Sequence, residues 1–329
     1  MSTPHRRWLP MALALACTLG LPLAGAPVLA QDWPNKPVRV IVPFPPGGGT
    51  DTVARPLTAK LTQLTGQQFN IDNRGGAGGT IGAAMAAKAP ADGYSVLLAP
   101  VHLAVAVSAY KSLPYELEKD LVPVTTVAVF PDVLVAATRV PAKTLPELIA
   151  YAKANAGKIN CGSAGNGTTR HLSCEMFNSA AGIKTLAVPY KGAAPMGTDL
   201  MGGEIMVGLD SLGAGVNTLL ASNKVTLLAT TGSRRAPAFA NVPTVAETLP
   251  GFLARGTTGV LTTLGTPPDV IDKLFAALAA VANRNDVKEK FLSLSHIPSA
   301  APPAEYGRSI ADEIEKWGRV MQESGVVIE

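Results

Sequence analysis

The run Val40-Ile41-Val42-Pro43-Phe44-Pro45-Pro46-Gly47-Gly48-Gly49-Thr50-Asp51 constrains this chain most, because a β-branched stretch breaks into a proline and glycine loop that opens onto a helical stretch. Such a junction builds an anion site. Three glycines leave the backbone uncovered, and Thr50 or Asp51 can cap a helix predicted from Asp51 to about Leu64, so free N–H groups and the positive dipole end face whatever sits above the strand. The same grammar recurs twice. Asn73-Arg74-Gly75-Gly76-Ala77-Gly78-Gly79-Thr80 leads into an alanine-rich helix, and Ser163-Ala164-Gly165-Asn166-Gly167-Thr168-Thr169 leads into another. Each helix N-terminus is equivalent to about half a positive charge, so three converging on one cleft would hold a carboxylate or a phosphate without a dedicated arginine.

Other chemistries fit these loops poorly. Gly76-Ala77-Gly78-Gly79 invites a dinucleotide fingerprint, but Ile81 stands where its third glycine belongs, and no Walker lysine follows any of the three loops. Cys161-Gly162-Ser163-Ala164-Gly165 lacks the first glycine of a hydrolase elbow. A secreted serine hydrolase using Ser163 and His171 is therefore the alternative from another class, and it needs a third group that the sequence does not indicate. His102, His171 and His296 show no metal spacing, and Ser108-Ala109-Tyr110-Lys111 matches S-x-x-K without a companion S-D-N or K-T-G. The expectation is a binding protein with no catalytic residue, no metal and no cofactor.

Met1 to Ala30 reads as an export signal: His5, Arg6 and Arg7 form a basic start, Leu9 to Leu21 an apolar stretch, and Val28-Leu29-Ala30 a small-residue cleavage site. Cleavage after Ala30, on the general secretory route, sends the chain to the periplasm and leaves roughly 300 residues, enough for two lobes with substantial cores. With 28 basic against 24 acidic residues and only 16% of residues charged, nucleic acid is an unlikely partner. Cys161 and Cys174 follow the signal, and this spacing allows either a disulfide or two buried thiols.

Short β-branched runs alternate with helical stretches throughout, which is α/β order. Strands are predicted at Val38 to Val42, Gln68 to Asp72, Ser95 to Ala99, Val133 to Ala137, Ile159 to Gly162, Val188 to Tyr190, Ile205 to Leu209 and Val225 to Thr230. The apolar runs Thr125 to Ala137 and Gly256 to Thr263 read as crossings between two lobes. That places lobe I at 31–131 and 250–329, with lobe II inserted at 132–249 and the C-terminal helices packing back on lobe I.

Several motifs in order then carry a resemblance: Trp33-Pro34-Asn35-Lys36-Pro37-Val38-Arg39, the Pro43 to Gly48 loop with Thr50-Asp51, Asn73-Arg74 with Gly76 to Gly79, Ala91-Asp92-Gly93-Tyr94, Val188-Pro189-Tyr190-Lys191-Gly192 and Val242-Pro243-Thr244-Val245-Ala246-Glu247. Together they resemble the Bug-type periplasmic solute-binding receptors of tripartite tricarboxylate transporters. The resemblance implies a type II periplasmic-binding-protein fold, in which two α/β lobes joined by two crossing strands close on a small organic carboxylate. It also implies delivery to membrane permease subunits, and the receptor is expected to be a monomer. A ligand-sensing receptor docking to a signalling partner is a further alternative. Ligand contacts are expected from Phe44, Pro45, Gly47, Gly48, Thr50, Asn73, Gly76, Ala77 and Gly78 on the first lobe. Ser163, Asn166, Thr168, Tyr190 and Asp210 are expected to contribute from the second. Asp210, if it faces ligand, favours an amine or hydroxyl donor. Val101, Leu103 and Val260 replace polar or aromatic family features, predicting a ligand with an apolar body in preference to citrate.

Overall fold

The computed structural model describes residues 33–47, 49–163, 168–190, 193–211, 214–294 and 296–325. The expected export signal, Gly48 and Asn166 lie outside the described residues.

The first third alternates as expected through β1 (Val38–Val42), α1 (Gly49–Thr65), β2 (Phe69–Asn73), α2 (Thr80–Ala87) and β3 (Ser95–Pro100), and then adds α3 (His102–Ala109) and a short α4 (Leu117–Asp120). Then comes β4 (Leu121–Ala137), a 17-residue strand. It is followed by α5 (Leu145–Ala154), β5 (Asn160–Ser163), α6 (Thr169–Ala181), β6 (Leu186–Pro189), α7 (Ala193–Gly202), β7 (Val207–Ser211), α8 (Ala214–Ala221) and β8 (Val225–Thr230). The chain closes with β9 (Arg255–Thr263), α9 (Pro268–Ala282), α10 (Asn285–Ser293), β10 (Ile297–Ala301) and α11 (Pro303–Ser324).

Helix boundaries follow local chemistry. Thr144 caps α5 by accepting from the Glu147 N–H, Thr168 caps α6 by accepting from His171 N–H, and α6 stops at Gly182 in the left-handed conformation. The helix predicted over Pro267 to Arg284 ends at Ala282, and α10 forms separately. Val101 and Leu103, expected to favour a ligand with an apolar body, fall instead at the start of α3: with Leu103, Ala104, Val105 and Ala106 all buried, it is a core helix without polar alternation.

The strands build two sheets that share β4. In the first the order is β2-β1-β3-β9-β4, with β1 parallel to β2 and β3, and β9 antiparallel to β3 and β4. In the second, the last residues of β4 pair antiparallel with β7 and β8, while β5 runs parallel to β6 and β7. The change of partners falls at Pro131, which pairs with Arg255 of β9, and Asp132, which pairs with Ser211 of β7. A proline removes one ladder donor there, which suits a strand passing from one sheet to the next.

The apolar packing does not divide as cleanly as the sheets. One cluster combines Leu134, Leu145, Phe177 and Leu209 around the second sheet with Val105 and Ala109 of α3 and Trp317, Val320 and Met321 of α11. The C-terminal helix, expected on the first lobe alone, therefore packs on α3 and on α6, with Trp317 fully buried between. Cys161 of β5 is bonded to Cys174 of α6, which settles the alternative the sequence left open. No helix among the described residues is long and apolar enough to cross a membrane.

Candidate functional site

Because β1, β2 and β3 are parallel, their C-terminal ends share one edge, and the glycine loops leave from it. Helix α1 begins at Gly49, so Thr50 and Asp51 are its second and third residues and neither is the cap the sequence suggested. Asp51 reaches back instead: its buried carboxylate accepts from Gly47 N–H at 2.9 Å, from Asn73 Nδ2 at 3.1 Å and from Arg55 Nε at 2.7 Å. Burial by itself would raise this carboxyl, but the three bonds outweigh it and hold Asp51 below the usual carboxylate range. Asn73 Nδ2 also donates to Phe44 O at 3.0 Å. Asn73 and Asp51 thus spend their polar atoms shaping the loop, and Thr50 is buried. Pro45 and Gly47 lie exposed on the loop, and half-buried Phe44 meets His102 edge-on at 5.7 Å between ring centres.

The second glycine loop has its own geometry. Gly76, Ala77, Gly78 and Gly79 all have positive φ, an arrangement that costs glycine little and a side-chain-bearing residue much. Gly76, Ala77 and Gly78 are exposed. In α2, a Cβ on Gly82 would stand 2.9 Å from Pro43 Cα and 3.0 Å from Arg74 O, so only glycine lets the helix close on the first loop. Arg74 is paired with Asp72 at 2.7 Å, which makes it a support of the strand end.

On the second sheet, Ser163 ends β5 and Asp210 is the last residue but one of β7, which runs parallel to it. Ser163 is buried, and its Oγ has no hydrogen-bond partner among the described residues, so it is not bonded to His171 and the hydrolase dyad is not formed. His171 is buried, and burial pushes its imidazole below the usual range. Tyr190 donates its hydroxyl to Asp199 Oδ2 at 2.8 Å; burial and then Asp199 push its pKa up to about 12. Thr168 is spent on the α6 cap described above.

Arg170 and Asp132, which the sequence did not single out, and His102, weighed there only as a metal ligand, stand with these. Arg170, in the first turn of α6, places Nε 3.5 Å from Asp132 Oδ1 and 3.6 Å from Asp210 Oδ1. Asp132 is 2% exposed and neither its Oδ1 nor Arg170 Nε has a hydrogen-bond partner among the described residues. Burial pushes the Asp132 carboxyl up to about 6, Arg170 opposes that rise and Asp210 adds to it. His102 lies close enough to feel Arg170: burial first, and the guanidinium second, bring its pKa down to about 3 and keep it neutral. A row from Phe44 through His102 and Arg170 to the two carboxylates therefore links the first sheet's loop to the second sheet's strand ends. The available signals in sequence were an acid beside Pro131 in an apolar run and an arginine two residues after the Thr168 cap. The structure does not support the apolar-body residues: Leu103 and Val260 are in packed cores, where strand pairing and α3 put them.

Comparison with known proteins fits this architecture. The profile of the "Tripartite tricarboxylate transporter family receptor" matches residues 53–326. The chain belongs to that family. It is 37% identical to the protein BugT of Bordetella pertussis, over 91% of this receptor and 93% of BugT. A protein encoded in the tcbD-tcbE intergenic region of Pseudomonas sp. strain P51 is 35% identical over 88% of this receptor and 87% of its own length. Among solved structures, the adipate-bound Rpa4515 of R. palustris has a TM-score of 0.80 at 33% identity, covering 91% of this receptor and all of that chain. MatC of Rhodopseudomonas palustris with bound malate has a TM-score of 0.74 at 31% identity, covering 88% of this receptor and 99% of that chain. The fold is thus that of the periplasmic solute-binding proteins of this family, and the receptor is a solute-binding protein and not an enzyme.

Proposed function

We propose that this receptor is exported, loses its leader after Ala30, and works in the periplasm as a monomer that captures a small organic carboxylate and hands it to membrane permease subunits. Residues 31–131 with 250–329 act as one lobe and 132–249 as the inserted other. The observation that carries the reading is the pair of strand-end edges joined through β4, with glycine-opened loops and the N-termini of α1, α2 and α6 at them. Backbone N–H groups and dipole ends at such edges favour an anion, and bridging water can complete the contact. The adipate and malate held by the two R. palustris proteins support a carboxylate as the cargo. On this reading Phe44, Pro45, Gly47, Gly48, Gly76, Ala77 and Gly78 face the ligand from one lobe, and Ser163, Asn166 and Asp210 from the other. Thr50, Asn73, Thr168 and Tyr190 hold the loops that do so.

A panel of mono-, di-, tri-, aromatic and amino-carboxylates is expected to contain one acid that raises the melting temperature and is recovered unchanged. Turnover of a bound acid or ester, lost on Ser163→Ala, would reverse the reading in favour of a hydrolase. A second expected result concerns Gly78, whose φ of 63° is left-handed and whose added Cβ would sit 3.0 Å from the Tyr110 hydroxyl. Gly78→Val is expected to weaken binding at least tenfold, about 1.4 kcal/mol, while Arg74→Ala changes it less. Calorimetry on variants shown to be folded by circular dichroism checks this; an intact Gly78→Val beside a dead Arg74→Ala would make the site an arginine clamp.

A further inference from the structure

We propose that Asp132 and Asp210, held together by Arg170, recognise an ammonium group, so that the preferred cargo is an amino-carboxylate and not a dicarboxylate. The inference rests on the carboxylate-receptor reading and specifies the far end of its ligand.

The argument begins with charge. Two carboxylates meet one guanidinium, and His102 beside them is neutral, so the cluster carries an excess negative charge when both acids are ionised. A second ligand carboxylate would approach that excess with Arg170 flanked by an acid on each side. An ammonium would instead complete the pairing, and like charges at short range inside a protein are among the strongest discriminators between ligands.

Geometry gives the second argument. At 3.5 and 3.6 Å the guanidinium Nε stands between the acids without a hydrogen bond to Asp132, and Asp132 Oδ1 is left without a donor. Two neighbouring hydroxyls share that condition: Ser163 Oγ, 1% exposed, and Thr230 Oγ1, 0% exposed. Strand register brings these residues to one end of the second sheet, on its two faces: Val133, beside Asp132, pairs with both Asp210 and Thr230, and Ser163 pairs with Leu209, beside Asp210. Asp132 and Ser163 also share a face. Leu134 and Cys161, each two residues along from them on β4 and β5, pack in the same cluster as Leu172 of α6, and Arg170 stands at the start of that helix. Buried polar atoms in native proteins are almost always satisfied. A three-donor ammonium can satisfy Asp132 Oδ1 and the Ser163 hydroxyl together, whereas a ligand carboxylate would find donors in Arg170 Nε and that hydroxyl but leave Asp132 Oδ1 without one.

The test is calorimetry on mature protein stripped of resident ligand by unfolding and refolding. Alanine, 4-aminobutanoate and 6-aminohexanoate are compared with malate, succinate and adipate. At least one amino acid is expected to bind tenfold or more tightly than its chain-matched diacid. Asp210→Asn, a shape-conserving change, is expected to cut amino-acid affinity tenfold or more while leaving or improving diacid affinity, a change of preference that mere misfolding would not produce. Diacids binding more tightly than every amino acid, with binding lost on Arg170→Ala, would overturn this inference and make Arg170 a carboxylate clamp, leaving the receptor reading intact. Binding by neither class would overturn both.

Discussion

Asp132→Asn is expected to make the ligand-free protein more stable at neutral pH. The folded-state pKa of Asp132, about 6, lies above its ordinary value of 3.8, so the native state holds the proton more tightly than the unfolded chain. The stability from that proton is fully present below 3.8 and is lost as pH rises through 6. By pH 7.5 the ionised group costs up to about 3 kcal/mol. Asparagine cannot ionise, and it keeps the shape; against this gain, Arg170 gives up one acidic neighbour but retains Asp210. Melting curves are expected to show Asp132→Asn several degrees above the parent at pH 7.5, at roughly 2–4 °C per kcal/mol, with the gap closing towards pH 4. His102, which feels Arg170, stays neutral across this range. A gap of equal size at both pH values, or a destabilised variant at pH 7.5, would contradict the account. A native acid whose removal stabilises the fold is one retained for a purpose other than stability.

The second large effect comes from the Cys161–Cys174 bond, which closes a short loop, 13 residues apart in sequence. Cross-links of that span restrict the unfolded chain by about 3 kcal/mol. The double change to alanine is chosen because both sulfurs sit in an apolar cluster where a hydroxyl would add a separate cost. It should lower the denaturant midpoint, and reducing the parent should do the same. Thiol titration of unfolded parent without reductant supplies the control. Two titratable thiols there, together with an unchanged midpoint on substitution, would remove the bond from the account.

The fold was legible where periodicity was strong. Val38–Val42, Val225–Thr230 and Thr169–Ala181 are as expected, and the Thr125 to Ala137 run lies within the strand that serves both sheets. Alanine-rich α3 was missed because a short apolar run between a proline and polar residues reads equally as loop lining or buried helix. The loops of the site were visible through their glycines, since positive φ leaves a mark in composition. The cluster around Arg170 was legible only in Asp210: Asp132, Arg170 and Asp210 are 38 and 40 residues apart in sequence, and only the pairing of β4 with β7 beneath α6 assembles them. Likewise Asn73 and Tyr190, polar residues well placed in sequence, turn out to direct their donors at the protein itself.

Trp317 and its neighbours carry a mechanical consequence. The shared strand β4 would by itself act as a soft torsion spring between the sheets, but α11 bolts α3 to α6 behind it. A wide gape would have to peel a fully buried indole away from its packing, a move comparable in cost to removing a large aromatic from a core. Relative motion of the two sheets that keeps Trp317 packed is therefore expected to be small, a shallow rocking in which the side chains slide and stay in contact. Small strokes of this kind put the selectivity in the lining of the slot and little of it in how far the jaws travel.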